Sequence, residues 1–206
     1  MMSNRAPGTE GYAENAATLI QSWQELSFSD KPRPVLDLIP TTPCLILDVG
    51  AGIGVDAAAL AAMGHQVVAV EPTTELRLSG MALHSSAKIE WVADRLPYLR
   101  VLRVENRSFD LIMLSAVWMH LDEQERRRAM LRIAAMTRSS GRIIISLRHG
   151  PVPLGRRMFD VTAEETIQLA EAQHLWPVLH MRAQSMQQAN RLADVTWTYL
   201  GFSKAQ

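Results

Sequence analysis

Three sets of residues have the types and spacing to do chemistry. The first is the run Asp48-Val-Gly-Ala-Gly-Ile-Gly54, in which Gly50, Ala51, Gly52 and Gly54 follow a continuous apolar stretch. Glycines let a backbone turn sharply and approach a ligand with no Cβ in the way. The second set is acidic. Glu71, followed by Pro72, stands about 20 residues beyond the loop, where a carboxylate can accept hydrogen bonds from both hydroxyls of an unphosphorylated ribose. Asp94 closes a later apolar run and is placed to accept from an adenine amino group. The third set is basic. His120, in SAVWMHLD, and His149, in SLRHGP, titrate near neutral pH and are candidates for a base or for orienting a reacting group. Arg148 carries a planar fork suited to a carboxylate or phosphate, and Arg156 and Arg157 extend the positive cluster. Trp118, Asn190 and Arg191 are further candidates for contact with a substrate.

Such residues work together only if the chain between them brings them to one place. Residues 44–49 form an unbroken apolar run, the pattern of a strand covered on both faces. Residues 66–70, 88–93, 109–114 and 141–147 repeat it, and 176–183 and 195–202 read as two closing strands. Helical spacing predicts helices over 12–28, 33–39, 56–63, 73–83 and 122–137, and Thr162 with Glu165 reads as a capping box opening another to about residue 174. Alternating strands and helices predict an open, mostly parallel sheet with right-handed crossovers, closed by an antiparallel last strand. Ligands in such sheets sit at the carboxyl ends of the strands, where the strand order reverses. That rule selects the loops 50–56, 71–74, 94–98, 115–121 and 148–160, which hold nearly every candidate above.

The glycine loop discriminates between ligands. A dinucleotide loop reads G-x-G-x-x-G so that a helix N-terminus can seat a pyrophosphate. Here the last glycine of that pattern falls on Val55, and Gly54 gives G-x-G-x-G instead. Asp48, just before the loop, repels a diphosphate and suits an ammonium. LDVGAGIG, VVAVEP, ADRLP, FDLIMLSAVWMHL and GRIIISL, in this order and spacing, resemble the class I S-adenosylmethionine-dependent methyltransferases over residues 45–147. The resemblance implies an α/β fold: a Rossmann-like three-layer sandwich with a seven-stranded, mostly parallel sheet whose last strand is antiparallel. It implies one methyltransferase domain over 1–206, with an N-terminal helical lid (1–40) on a core (44–206). It also implies S-adenosyl-L-methionine as cofactor. Asp48 and the Gly50 region would hold its methionyl part, Glu71 its ribose, and Asp94 with backbone near Arg95 and Leu96 its adenine. Ser115 and Ala116 would border the sulfonium, and Tyr12, on the N-terminal helix, would close over it.

The expected reaction is in-line methyl transfer to a small-molecule acceptor. The cofactor arrives activated, so the protein aligns the nucleophile and excludes water, and needs a base only if the acceptor loses a proton. Methylation of RNA or protein, and a non-catalytic S-adenosylmethionine-binding regulatory module, stay open as alternatives. Several classes fit poorly. Residues 115–118 lack the Asn/Asp-Pro-Pro-aromatic motif of enzymes that methylate planar amino groups, Ser115 sits in no G-x-S-x-G elbow, and the remaining histidines lack metal-ligand spacing. With 21 basic and 21 acidic residues among 206, no charge excess draws the chain to nucleic acid or an anionic membrane. No apolar run approaches a membrane span, and no signal-peptide pattern opens the chain, so a cytoplasmic protein is the expectation. The single cysteine, Cys44, excludes an intramolecular disulfide.

Overall fold

A computed structural model describes residues 8–205. Residues 1–7 of the expected N-terminal helical lid lie outside the described residues. Seven strands form one sheet: β1 (Leu45–Val49), β2 (Gln66–Val70), β3 (Ile89–Val92), β4 (Phe109–Leu114), β5 (Thr137–His149), β6 (Leu175–Gln184) and β7 (Thr196–Lys204). Their order is β3-β2-β1-β4-β5-β7-β6. β1 to β5 run parallel, and β7 is antiparallel to both its neighbours, β5 and β6.

The unbroken apolar strand runs are explained by coverage on both sides. Successive side chains point to opposite faces. Leu47, Val49, Val68 and Val70 pack with α5 (Arg100–Val104), α6 (Glu123–Met136) and α7 (Ala163–Glu171). Ile46, Val67 and Ala69 pack with α3 (Val55–Ala62) and with Phe28, Val35 and Ile39 from the N-terminal segment. The result is the expected three layers. Register then sets the geometry of the strand tips. Val49 pairs with Val70 and Val70 with Val92, so the glycine loop, Glu71 and Asp94 emerge side by side at one edge. The order reverses between β1 and β4, the switch point at which such sheets bind ligands.

Several local expectations need correction. The N-terminal helix is shorter than its apolar periodicity: α1 spans Ala16–Trp23, and Tyr12 sits in the preceding turn, its N–H donating to the Thr9 carbonyl at 3.2 Å. Asn15 turns its amide back onto the Gly11 carbonyl at 2.8 Å, which holds the chain in that turn. Thr162 does cap α7 by accepting from the Glu165 N–H at 3.1 Å. The Glu165 carboxylate does not return the bond; it pairs with Arg126 of α6 at 2.8 and 3.0 Å. The full capping box occurs instead at α6, where Asp122 and Glu125 satisfy each other's backbone N–H groups. α2 (Arg33–Leu36) is a single turn, and α4 is Thr74–Leu83. α5, α8 (Gln188–Leu192) and a 3₁₀ turn at Phe28–Asp30 carry too few residues for a periodic signal and were not expected. Among the described residues no helix is long and apolar enough to cross a membrane, and no group of three or more His, Cys, Asp or Glu side chains is arranged to hold a metal ion.

Candidate active site

A cavity of about 630 Å³ opens at the carboxyl edge of the sheet, over the switch point. Its floor is the loop after β1. Gly50 (φ 71°) turns the chain, and a Cβ there would collide with Val117 of the loop after β4, so only glycine lets the two loops meet. The N–H groups of Gly50 and Ala51 both donate to the Val70 carbonyl, at 2.8 and 2.9 Å, which ties the loop to the tip of β2. Gly54 plays a different part from Gly50 and Gly52. It precedes α3 at φ 83°, and a Cβ there would press on Trp91 at 2.7 Å, so it serves helix packing and does not line the cavity.

The acidic residues divide in the same way. Glu71 is buried; one carboxylate oxygen accepts from the Gly52 N–H at 2.9 Å and the other from the Thr73 N–H at 2.7 Å. Burial raises its pKa, opposed by those hydrogen bonds and by Arg77. Each oxygen keeps acceptor capacity toward the cavity. Asp48 is also fully buried, and its Oδ2 has no hydrogen-bond partner among the described residues. Burial, reinforced by nearby Asp56 and opposed by Lys31, pushes its carboxyl well above the usual range. Asp94 lines the cavity but its oxygens accept from the N–H groups of Arg95, Arg100, Val101 and Leu102, at 2.8 to 3.4 Å. It caps α5, whose own first residues offer no side-chain cap. Pro72, Arg95, Leu96, Ser115 and Ala116 all line the cavity.

Opposite the loop, Tyr12 and His120 close the cavity. The His120 Nδ1 lies 2.8 Å from the Arg157 carbonyl, which fixes the proton on that nitrogen. Nε2 is then the acceptor, taking the Tyr12 hydroxyl proton bond at 2.9 Å. Burial lowers the His120 pKa and raises that of Tyr12 to about 12. Arg148, at the end of β5, lines the cavity, and the Arg156 guanidinium lies 3.6 Å over the Tyr12 ring. Arg157 turns away, to the Asp122 and Glu125 carboxylates and the His120 carbonyl.

Two expected substrate contacts, Trp118 and Arg191, and one expected catalytic residue, His149, lie elsewhere. Trp118 is fully buried in the core beneath α6. His149, one residue after Arg148 on the strand, points to the other face and meets the Thr198 hydroxyl at 2.8 Å. Arg191 staples its own loop by donating to the Ser185 and Met186 carbonyls, whereas Asn190 does line the cavity. Two residues that sequence reasoning passed over, Lys31 and Asp56, also face the cavity and pair at 2.9 Å; the expected Ser115 donates to the same Asp56 carboxylate at 2.7 Å. The signal for Asp56 was its place in the first turn after the glycine loop; Lys31, far from it in the chain, carried none.

The family profile described as a methyltransferase domain matches residues 46–141, the stretch that supplies β1, the glycine loop, Glu71, Asp94 and His120. The match covers a little under half of the chain and makes that stretch similar to methyltransferase domains. Solved structures of S-adenosylmethionine-dependent methyltransferases share the fold. The 1,6-didemethyltoxoflavin-N1-methyltransferase of Burkholderia thailandensis, solved with 1,6-didemethyltoxoflavin and S-adenosylhomocysteine, is 22% identical with a TM-score of 0.68, covering 100% of this chain and 93% of its own. A TehB-like methyltransferase from Corynebacterium glutamicum is 21% identical with a TM-score of 0.67, covering 94% and 98%. The N-methyltransferase NodS of Bradyrhizobium japonicum, bound to S-adenosylhomocysteine, is 16% identical with a TM-score of 0.66, covering 93% and 100%. At these identities the likeness is one of fold. A comparison with curated protein sequences gives no match.

Proposed function

We propose that this protein is a methyltransferase that transfers the methyl group of S-adenosylmethionine to a small-molecule acceptor held in the cavity. The observation that carries the reading is the buried, unpartnered Asp48 oxygen beside the glycine elbow, with the Glu71 carboxylate at the next strand tip in the same cavity. An orphaned buried carboxylate oxygen costs stability unless a ligand group completes it. The ammonium of a methionyl group does so, and it draws the proton off Asp48. Glu71 retains lone pairs for ribose hydroxyls, and Ser115 and Ala116 border the sulfonium. Backbone near Arg95 and Leu96 lines the adenine. Asp94 holds that wall in place through α5.

When bound, S-adenosylmethionine supplies a methyl group on a sulfonium leaving group. The chain's own residues then align the acceptor and keep water out. Residues 8–23 act as the lid, with Tyr12 fastened to His120. Tyr12 and His120 also offer a route for an acceptor proton: the Tyr12 oxygen takes it as the Tyr12 proton passes to His120 Nε2. A small acceptor draws support from the similar Burkholderia enzyme, solved with bound 1,6-didemethyltoxoflavin. Calorimetry decides the cofactor part: S-adenosylhomocysteine should bind and NAD should not compete. A metabolite-extract screen that reads S-adenosylhomocysteine release decides the acceptor part. No heat with either S-adenosylmethionine or its demethylated product, on folded protein, would end the proposal.

A further inference from the structure

We infer that the β4–β5–β7 side of the cavity is an anion site: the acceptor carries a carboxylate or phosphate that Arg148 and Arg156 grip together. The inference rests on the methyltransferase reading and adds the acceptor's chemical class. Strand order divides the cavity. Glu71 and Asp94 stand at the tips of β2 and β3, on one side of the switch point; Arg148 stands next to the last residue of β5 and Arg156 follows the strand, on the other. β7 begins at this same edge because it is antiparallel, so Trp197 adds an apolar wall there, facing the cavity with Met158.

Charge balance singles out these two arginines. The neighbouring Arg157 is neutralised by Asp122 and Glu125, and Arg126 by Glu165. Arg148 and Arg156 donate only to backbone carbonyls, those of Pro151 at 2.8 Å and Glu10 at 3.4 Å. Neither has a carboxylate partner among the described residues, although both are half-buried. Glu10 bears on this wall from the N-terminal turn, but it meets Arg156 through its carbonyl and its buried Oε2 makes no hydrogen bond. Both arginines bear electrostatically on Tyr12, and Arg156 is held flat against its ring. Two partly desolvated guanidiniums with free donor edges, beside the group that meets the acceptor, match a carboxylate or phosphate in charge and fork geometry.

Three probes of similar shape test this: benzoate, phenyl phosphate and neutral benzamide, titrated calorimetrically with and without S-adenosylhomocysteine. At least one anion should bind roughly tenfold or more tightly than benzamide, as expected for hydrogen bonds to charged groups. The preferred anion tells a carboxylate acceptor from a phosphorylated one. Arg148→Gln and Arg156→Gln should each erase most of that preference and leave benzamide and S-adenosylhomocysteine affinities unchanged. Arg156→Lys, which keeps the charge and loses the fork, guards against a folding defect and should retain part of it. Equal binding of benzamide and both anions, or no anion binding at millimolar concentration, overturns the inference. So does weakened S-adenosylhomocysteine affinity in the arginine variants, which would give the guanidiniums to the cofactor's own carboxylate. Failure of S-adenosylhomocysteine to bind wild-type protein would instead sink the cofactor reading, because the anion titrations also run without it.

Discussion

At the scale of single residues, the carboxylates of the site differ by what already occupies them. Glu71 accepts two backbone N–H groups and still faces the cavity, so the binding duty proposed for it adds to a structural one. Glu71→Gln keeps the shape but puts an amide N–H against one of those donors. It should weaken S-adenosylhomocysteine binding by about 1–3 kcal/mol by calorimetry, the worth of a charged hydrogen bond; unchanged affinity would remove Glu71 from the ribose. His120 makes a pH prediction. Burial holds its folded-state pKa below the unfolded value near 6.5, so its contribution to stability is complete above that pH and fades as pH falls through it toward the folded value. The stability lost in His120→Asn should therefore be greatest above about pH 6.5 and shrink on acidification, read from urea melts across pH. A gap that widens toward acid would mean that His120 is charged in the folded protein.

At the scale of elements, the loops depend on caps supplied from a distance. α5 spans Arg100–Val104, starts at Leu99 in the left-handed region (φ 44°) with no side-chain cap, and relies on the Asp94 carboxylate. Asp94→Asn would turn an amide donor toward those N–H groups. It should cost about 1–3 kcal/mol of unfolding free energy, the penalty for a buried donor left without an acceptor. A melt unchanged by the substitution would return Asp94 to a purely ligand-binding duty. The N-terminal element is held differently. Tyr12, Ile20 and Trp23 pack on Ile53 and Leu76, a small cluster apart from the two main cores, so this segment has little burial to lose on opening. Amide exchange in residues 12–23 should be faster than in β1 and β4, and should slow on adding S-adenosylhomocysteine. Exchange indifferent to the ligand would refute the lid.

At the scale of the whole molecule, a ligand that binds only the folded state adds its binding energy to stability. S-adenosylhomocysteine at about 100-fold over its Kd should raise the unfolding free energy by about 2.7 kcal/mol, while NAD should leave it unchanged. Equal stabilisation by both would point back to a dinucleotide site. The fold that supports this was largely legible in the chain. The strand runs at 45–49, 66–70 and 109–114 are apolar because helices cover both faces, and the sheet needs exactly that pattern wherever it is buried. The short elements α5 and α8 were not legible, since five residues make less than two turns and leave no period to read.

By itself the sequence determined the alternation of strands and helices, the glycine elbow and the acidic strand ends, because these are set by neighbours a few positions apart. Only the tertiary structure decided which charged side chains serve the cavity. Arg148, Arg156, Arg157 and Arg191 are alike in type, yet Arg157 is consumed by the N-terminus of α6, Arg191 by its own loop, and the other two face the cavity. A long flexible side chain takes its role from the partner within its reach, and such partners stand as far off in the chain as the 146 positions between Glu10 and Arg156. Gly54 and Trp118 follow the same logic: helix packing and core burial claimed them first, and neither reaches the cavity.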